Sequence, residues 1–429
     1  MKLFNCANLS FLLYYPTMKE VNRELSFSIA KTINDIPRQE WDSLFGKELI
    51  ESYGYLKTLQ DNGVEEFSFG YLVGKKNDNT ILILPFFIMN FSFAMLLPQF
   101  LHKISGAFNR WLKVKALFLG SPTTEGFSMG ISANEDSEAV LNEALKELEA
   151  FSKEEGIAGM IFYNLSSKDL KLAEYLKRKK FLGMETLPTT AINIEANSLE
   201  EYIQGLGKNT RKDLRKKLRR SQEISELKTE PREDIADIIN NVYGLYLNNF
   251  NDADINFEIL TKYFFLNICS NMPGVAKYFI TYDKGKIVAF NLCLIKNGIF
   301  IDKFIGFDYE VAHKYHLYYT TFCHNIDWCI KNGLKTYQPG FSDYHPKVRL
   351  GAKLIPLYVF VKTFNTFLSL SLKILKPLIE PKNMDPVLKQ IEKQKGRAIL
   401  GETSHIPENA LKASLLRRHS GAPLNAHQG

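Results

Sequence analysis

The feature that most constrains how this chain can fold is an alternation of strand-like apolar runs and helical apolar periods that occurs twice. A basic segment at 207–220 separates the two occurrences. Before it, strand-like runs fall at 67–73, 81–87, 115–120, 158–163 and 190–194; after it, at 277–282, 286–295, 298–307 and 354–361. Apolar spacing of about 3.6 residues predicts helices over 136–155, 170–178, 198–222, 232–248, 257–271 and 313–332. Turn signals at Asp283-Lys284-Gly285-Lys286 and Lys296-Asn297-Gly298 predict hairpins, and Gly333 suits a helix end. Interleaving of this kind predicts an α/β (α+β) fold with mixed central sheets, divided into units over 20–190 and 191–375. From about Glu380 the period is lost, and 380–429 reads as a disordered tail.

Charge narrows the partner. The formal charge is +7, from 54 basic and 47 acidic residues. Between Gly207 and Arg220 eight basic residues face one acid, so that window holds 8 − 1 = +7 and the remainder balances at 46 against 46. One local patch implies one anionic partner at one place, not general or sequence-specific DNA binding. On a helix, Lys208, Arg211, Lys212, Arg215 and Arg219 line one face, and guanidinium groups suit phosphate. Phosphate-bearing donors or acceptors and an anionic membrane surface fit this face; the competing reading is a solvated one.

Two apolar runs bear on membranes. Residues 81–101 carry no charge, long enough to cross a bilayer, but Pro85 and Pro98 interrupt them and the preceding turn leads into a buried strand. Residues 361–378 present Phe364, Phe367, Leu368, Leu372 and Leu375 at helical spacing, for which packing on the chain's own domain is the first expectation. The N-terminus lacks a small-residue cleavage site, which argues against a signal peptide. Five cysteines are odd in number and wrongly spaced for a disulfide framework or zinc clip, so a reducing cytoplasm is expected, with peripheral membrane attachment as an addition.

Four further segments carry a resemblance. They are the Leu199-Glu200-Glu201-Tyr202 start with its Lys/Arg-rich continuation, Gly285-Lys286-Ile287-Val288-Ala289, Gly306-Phe307-Asp308 ahead of a Tyr/His-rich helix, and Pro339-Gly340 through His345-Pro346-Lys347-Val348-Arg349-Leu350-Gly351. In order and spacing over about 30–362 they resemble the GNAT-superfamily acyltransferases of the Fem-like and BioF-like type. The resemblance implies two tandem GNAT-like domains and transfer of an acetyl or aminoacyl group from a thioester or ester to an amine. The co-substrate it implies is acyl-CoA or aminoacyl-tRNA, without a metal. The R/Q-x-x-G-x-G/A turn that holds acetyl-CoA in ordinary GNAT enzymes is absent from this sequence.

Candidate catalytic groups are Asp308, Tyr344 and Lys347; candidate cofactor-binding groups are Lys208, Arg211, Arg215 and Arg349. Asp308 could take the acceptor's ammonium proton, or simply cap a helix. Lys347 and Arg349, expected on a short loop-strand, stand near the cleft by the resemblance, or form an exposed edge pair. Tyr344 and His345 could orient the acceptor. The histidines on the 313–332 helix lack converging partners for a metal. No P-loop or H-E-x-x-H motif occurs. The alternative to an enzyme is a noncatalytic protein on the same fold that binds a polyanion or membrane surface.

Overall fold

Three two-residue turns set the sheet. Asn77-Asp78, Lys284-Gly285 and Asn297-Gly298 have φ of 49° and 61°, 48° and 86°, and 53° and 75°. Positive φ at both positions gives the turn twist that matches paired strands. The turns join β2 (Ser68–Lys76) to β3 (Asn79–Ser92), β9 (Ala276–Asp283) to β10 (Lys286–Lys296), and β10 to β11 (Ile299–Phe307). The structure, a computed structural model, describes residues 25–46, 50–64, 66–92, 113–252, 259–341 and 343–399. The N-terminal segment read for a signal peptide, residues 93–101 of the long apolar run, and the tail beyond 399 lie outside the described residues.

Both halves run through the same succession. The first has β1 (Leu25–Ala30), α1 (Arg38–Phe45), α2 (Tyr53–Asn62), β2, β3, β4 (Lys113–Leu119), the short β5 (Gly130–Ile131), α3 (Ser137–Glu154), β6 (Gly159–Leu165), α4 (Leu170–Arg178) and β7 (Leu182–Asn193). Next come α5 (Leu199–Gly205) and the basic helix α6 (Lys208–Ile224). The second half has β8 (Leu227–Arg232), α7 (Ile239–Asp252), α8 (Lys262–Asn271), β9 to β11, α9 (Tyr309–Tyr315), α10 (Leu317–Lys331), β12 (Thr336–Gln338), α11 (Tyr344–Arg349) and β13 (Lys353–Thr363).

The strands form one mixed sheet in the order β1-β2-β3-β4-β6-β13-β7-β12-β11-β10-β9-β8. Parallel pairing occurs at β4–β6 and β11–β12, where a helical crossover links the partners. At the centre the last strand of each half is exchanged. β13 lies between β6 and β7, while β7 lies between β13 and β12, all antiparallel. Each half therefore completes its sheet with a strand from the other.

Packing follows the patterning. Asp136 caps α3 by accepting from Glu138 N and Ala139 N, and Val140, Leu141, Ala144, Leu145 and Leu148 face Leu117, Met160 and Phe162 on the sheet. On α10, Phe322, Cys323, Ile326 and Cys329 face Phe279, Phe300 and Tyr337. A third core joins the halves, with Tyr55 and Leu59 of α2 against Phe264, Phe265 and Ile268 of α8. Gly54 permits that approach, because a Cβ there would lie 2.2 Å from Asn271 O. Each large apolar side chain buried in these cores contributes roughly 1.5–3 kcal/mol.

Four expectations change. The 198–222 helix is broken at the extended Leu206 and Gly207, since buried Leu206 leaves the helical path to enter the core. The 313–332 helix starts earlier, at Tyr309 behind the Asp308 cap, and breaks at His316, whose φ of 52° and ψ of 41° are left-handed. Residues 344–349 form a helix, not a loop-strand, so Lys347 and Arg349 are not an edge pair: Lys347 turns inward and is 5% exposed. Residues 380–399, expected within the tail, contain α13 (Pro381–Met384) and α14 (Pro386–Ile399), as well as a Lys382 contact with both Glu380 and Glu392. Asp385 starts α14 by accepting from Val387 N and Leu388 N.

Candidate active site at the seam of the two halves

β11 and β12 stay paired only from Ile299↔Thr336 to Ile301↔Gln338, after which β12 ends and β11 continues to Phe307. Asp302 stands where they part. Its carboxylate accepts from Asn291 Nδ2 at 2.9 and 2.8 Å, Asn325 Nδ2 at 3.1 Å and the Tyr337 hydroxyl at 2.9 Å. Burial raises the Asp302 pKa despite these donors and the nearby Lys347. The Tyr318 hydroxyl and Asn325 Oδ1 are buried without a hydrogen-bond partner among the described residues.

Lys303, the next residue, faces the opposite side of the strand. Its side chain is 3% exposed, its ammonium pairs with Glu51, and it stands 5.3 Å from the Tyr55 ring centroid. Burial alone would pull its pKa down; Glu51, Tyr55 and Glu125 reverse this and hold it charged above the ordinary lysine value. Glu125 follows β4 and accepts from the Thr189 hydroxyl on β7. Burial raises its pKa against the pull of Lys303, Thr189 and Lys347.

Lys347 enters the same seam from α11, donating to Gly340 O at 3.2 Å and to Phe341 O. Burial lowers its pKa to about 8, against the attraction of Glu125, Asp343 and Asp302. Thr190 Oγ1 donates to Gly340 O at 2.6 Å. Gly340 itself has φ of 78°, and a Cβ there would lie 3.2 Å from Glu125 Oε1. Thus Glu51 and Glu125 of the first half meet Lys303 and Lys347 of the second, and Lys347 also acts on Asp302, across β11 from Lys303. Buried ionisable groups of opposed charge, with the pKa values of Glu125, Asp302, Lys303 and Lys347 shifted, are what acid–base chemistry requires.

A second cluster forms where α6 meets the start of α10. Asp213 takes Lys217 at 2.8 Å and Arg349 at 3.3 Å, and the Lys217 ammonium lies 3.8 Å from the Tyr319 ring centroid. Burial lowers the His316 pKa, helped by Lys217 and Arg220; burial likewise lowers that of His345, helped by Arg349 and Lys217. Lys217 and Arg349 thus pair with one aspartate, and Arg220, His316 and His345 lie near these cations beside a helix N-terminus, where anions are favoured.

The expected site residues are distributed unevenly. Lys347 lies in the seam. The Tyr344 hydroxyl donates to Pro188 O at 2.9 Å and fixes α11 to β7. Asp308 lies six residues beyond Asp302, roughly 20 Å along the strand at about 3.3 Å per residue. There it caps α9 through Glu310 N and pairs with Lys286 at 2.7 Å. Arg211 donates to Gln204 O at 2.7 Å, at the end of α5, and Arg215 pairs with Glu200. Lys208 is exposed. Arg349 meets α6 through Asp213, on the side away from Arg211 and Arg215, so these cations do not form one site. Glu51, Glu125, Asp302 and Lys303 belong to no motif; their one sequence signal is the charged pair inside the apolar strand IFIDKFIGF. Among the described residues no group of three or more His, Cys, Asp or Glu side chains is placed to hold a metal.

A family model, FemAB-like, described as peptidoglycan biosynthesis/recognition, matches residues 32–354. No curated protein sequence matches the chain. Among solved structures, the C-terminal domain of a candidate lysylphosphatidylglycerol synthetase from Agrobacterium fabrum is similar, with 12% identity over 81% of this chain and 96% of that one, TM-score 0.49. FemX is similar with 11% identity over 79% and 98%, TM-score 0.49. So is a tandem GNAT protein from the clavulanic acid biosynthesis pathway, with 8% identity over 79% and 98%, TM-score 0.49.

Proposed function

The chain belongs to the FemAB-like family of peptidoglycan biosynthesis and recognition proteins, and from that premise we propose that it is an acyltransferase. It moves an acetyl or aminoacyl group from a thioester or ester donor, acyl-CoA or aminoacyl-tRNA, to an acceptor amine. The observation that carries this reading is a pair of buried lysines at one seam whose surroundings shift them in opposite directions. Both act on Glu125; Lys303 is held charged, and Lys347 has a pKa of about 8.

Acylation of an amine requires removal of its ammonium proton, then a positive group facing the carbonyl oxygen as the N–C bond forms and the C–S or C–O bond breaks. The ammonium proton leaves to water before attack; Lys347, in its neutral form, takes the second N–H proton as the N–C bond forms and passes it to the leaving thiolate or alkoxide. Lys303 faces the developing oxyanion, with Glu51 fixing its position. The Tyr318 hydroxyl offers a further donor beside Asp302. Donor phosphate is held at the first turn of α10 by Lys217, Arg220 and Arg349. Asp308 and Tyr344, tied to Lys286 and Pro188 O respectively, have no part in this reading.

The test is acceptor-dependent consumption of acetyl-CoA or of an aminoacyl-tRNA with a lysine-bearing peptidoglycan stem peptide as acceptor. Lys347→Met and Lys303→Met are each expected to lower the rate by about 10²–10³-fold. The parent rate should rise through about pH 8 as Lys347 loses its proton. A flat pH profile would remove Lys347 from the proton-accepting role. No consumption of either donor, with the chain folded, would leave the noncatalytic alternative standing.

A further inference from the structure

The strand β13 leads into α12 (Thr366–Ile379), a helix capped by Asn365, whose side chain accepts from Phe367 N at 2.8 Å and Leu368 N at 3.2 Å. One face of α12 packs inward. Leu372 and Ile379 are buried, and Leu368 packs beside them, against Phe91 and Val361. This corrects the apolar stripe expected from sequence, because a second stripe faces the other way. Phe367 is 79% exposed, Leu370 57%, Ile374 66% and Leu378 43%, and Phe364, in the lead-in, is 41% exposed. Their spacing of three, four and four residues puts the four helical ones on one face. Of the nine large hydrophobics exposed among the described residues, these are five. So dense a stripe is what a partner must cover.

We propose that α12 docks the protein on an anionic phospholipid surface. Charge selects this occupant. No acid lies between 364 and 379, whereas Lys373 flanks the outer stripe and Lys376 stands between Ile374 and Leu378 in the chain, one further cation on the same helix. Two copies meeting symmetrically on this stripe would bring two Lys373 ammonium groups together with no acid on the helix to pair them. Lipid phosphate supplies that counter-charge. Length selects the geometry: 14 residues make a helix of about 21 Å, too short for a hydrocarbon core of about 30 Å. No helix among the described residues is long and apolar enough to cross a membrane. The helix instead lies in the headgroup plane, with its outer side chains inserted and its lysines at phosphate depth.

This proposal is independent of the acyl-transfer reading, and its test uses no substrate. The full chain is floated with vesicles of phosphatidylcholine alone or mixed with phosphatidylglycerol. Binding to the mixed vesicles is expected. The triple substitution Phe367→Ser, Leu370→Ser and Ile374→Ser should weaken it about 100-fold or more, from the apolar transfer energies of three large side chains. Its melting transition should be unchanged, since the removed groups are exposed. Lys373→Glu with Lys376→Glu should abolish the preference for anionic vesicles. The proposal is overturned if the parent binds neither vesicle, or if the triple variant binds as well as the parent. It is also overturned if sedimentation shows a parent dimer that the triple variant loses, with vesicle binding unchanged, because a second copy then covers the stripe.

Discussion

Lys347 carries the largest testable electrostatic consequence of a single side chain. Its ordinary value of 10.5 falls to about 8 in the folded chain. Below pH 8 both folded and unfolded states are protonated, and the folded state bears the full cost of a buried ammonium. Between about 8 and 10.5 the folded state loses the proton first, so the unfolded state binds more protons and stability rises with pH. At about 1.4 kcal/mol per unit, the effect is about 3 kcal/mol. Lys347→Met lacks this titration. Urea unfolding should therefore show the variant gaining most on the parent near neutral pH, with the gap closing by about that amount toward pH 10.5. A gap constant with pH would mean that the ammonium is hydrated.

The basic helix α6 shows how an element changes meaning once its neighbours are placed. On sequence alone its crowded cations should repel, and reversing some should relieve strain. In the fold, Arg211 satisfies carbonyls at the end of α5 and Arg215 meets Glu200, so reversal places negative charge where negative charge already lies. Arg211→Glu with Arg215→Glu is expected to lower stability by about 1–2 kcal/mol, given that the contacts are only partly shielded from water. Lys212 and Lys216 are exposed and have no described salt bridge. Their reversal to Glu should leave the melting temperature unchanged or slightly higher, since like-charge crowding is relieved. Thermal melts of the two double variants check the contrast; equal effects would return Arg211 and Arg215 to the solvated face.

At the scale of the molecule, the exchanged central strands govern folding. A fragment ending near residue 196 keeps β7 but lacks β13, so the facing edges of β6 and β7 have no partner. Unpaired edges in the middle of a sheet invite aggregation. Expressed alone, that fragment should be insoluble or unfold without a cooperative transition, while co-expression with the remainder should give one complex with a single melt. A soluble, cooperative first-half fragment would show that β13 is dispensable to it. The seam residues come from both halves, so they also assemble only in the complex.

The elements and their twofold repetition are legible in the sequence because strand alternation, helical period and turn chemistry are local. The Asn297-Gly298 turn and the Asp136 cap need only a few neighbours to be read. Lys347 could be singled out from its neighbours in the chain, but its burial could not, since helix α11 forms against β7 from the other half. Glu51, Glu125, Asp302 and Lys303 were hidden for a stronger reason. They are up to 252 residues apart, as Glu51 and Lys303 are, and acquire their chemistry only by desolvation at a shared seam. The same limit holds for α12, where amphipathic spacing identified a helix but only packing decided which apolar stripe is covered. Local periodicity sets what a segment can form; which charges lose water, and which apolar faces keep it, depends on partners that only the folded chain brings near.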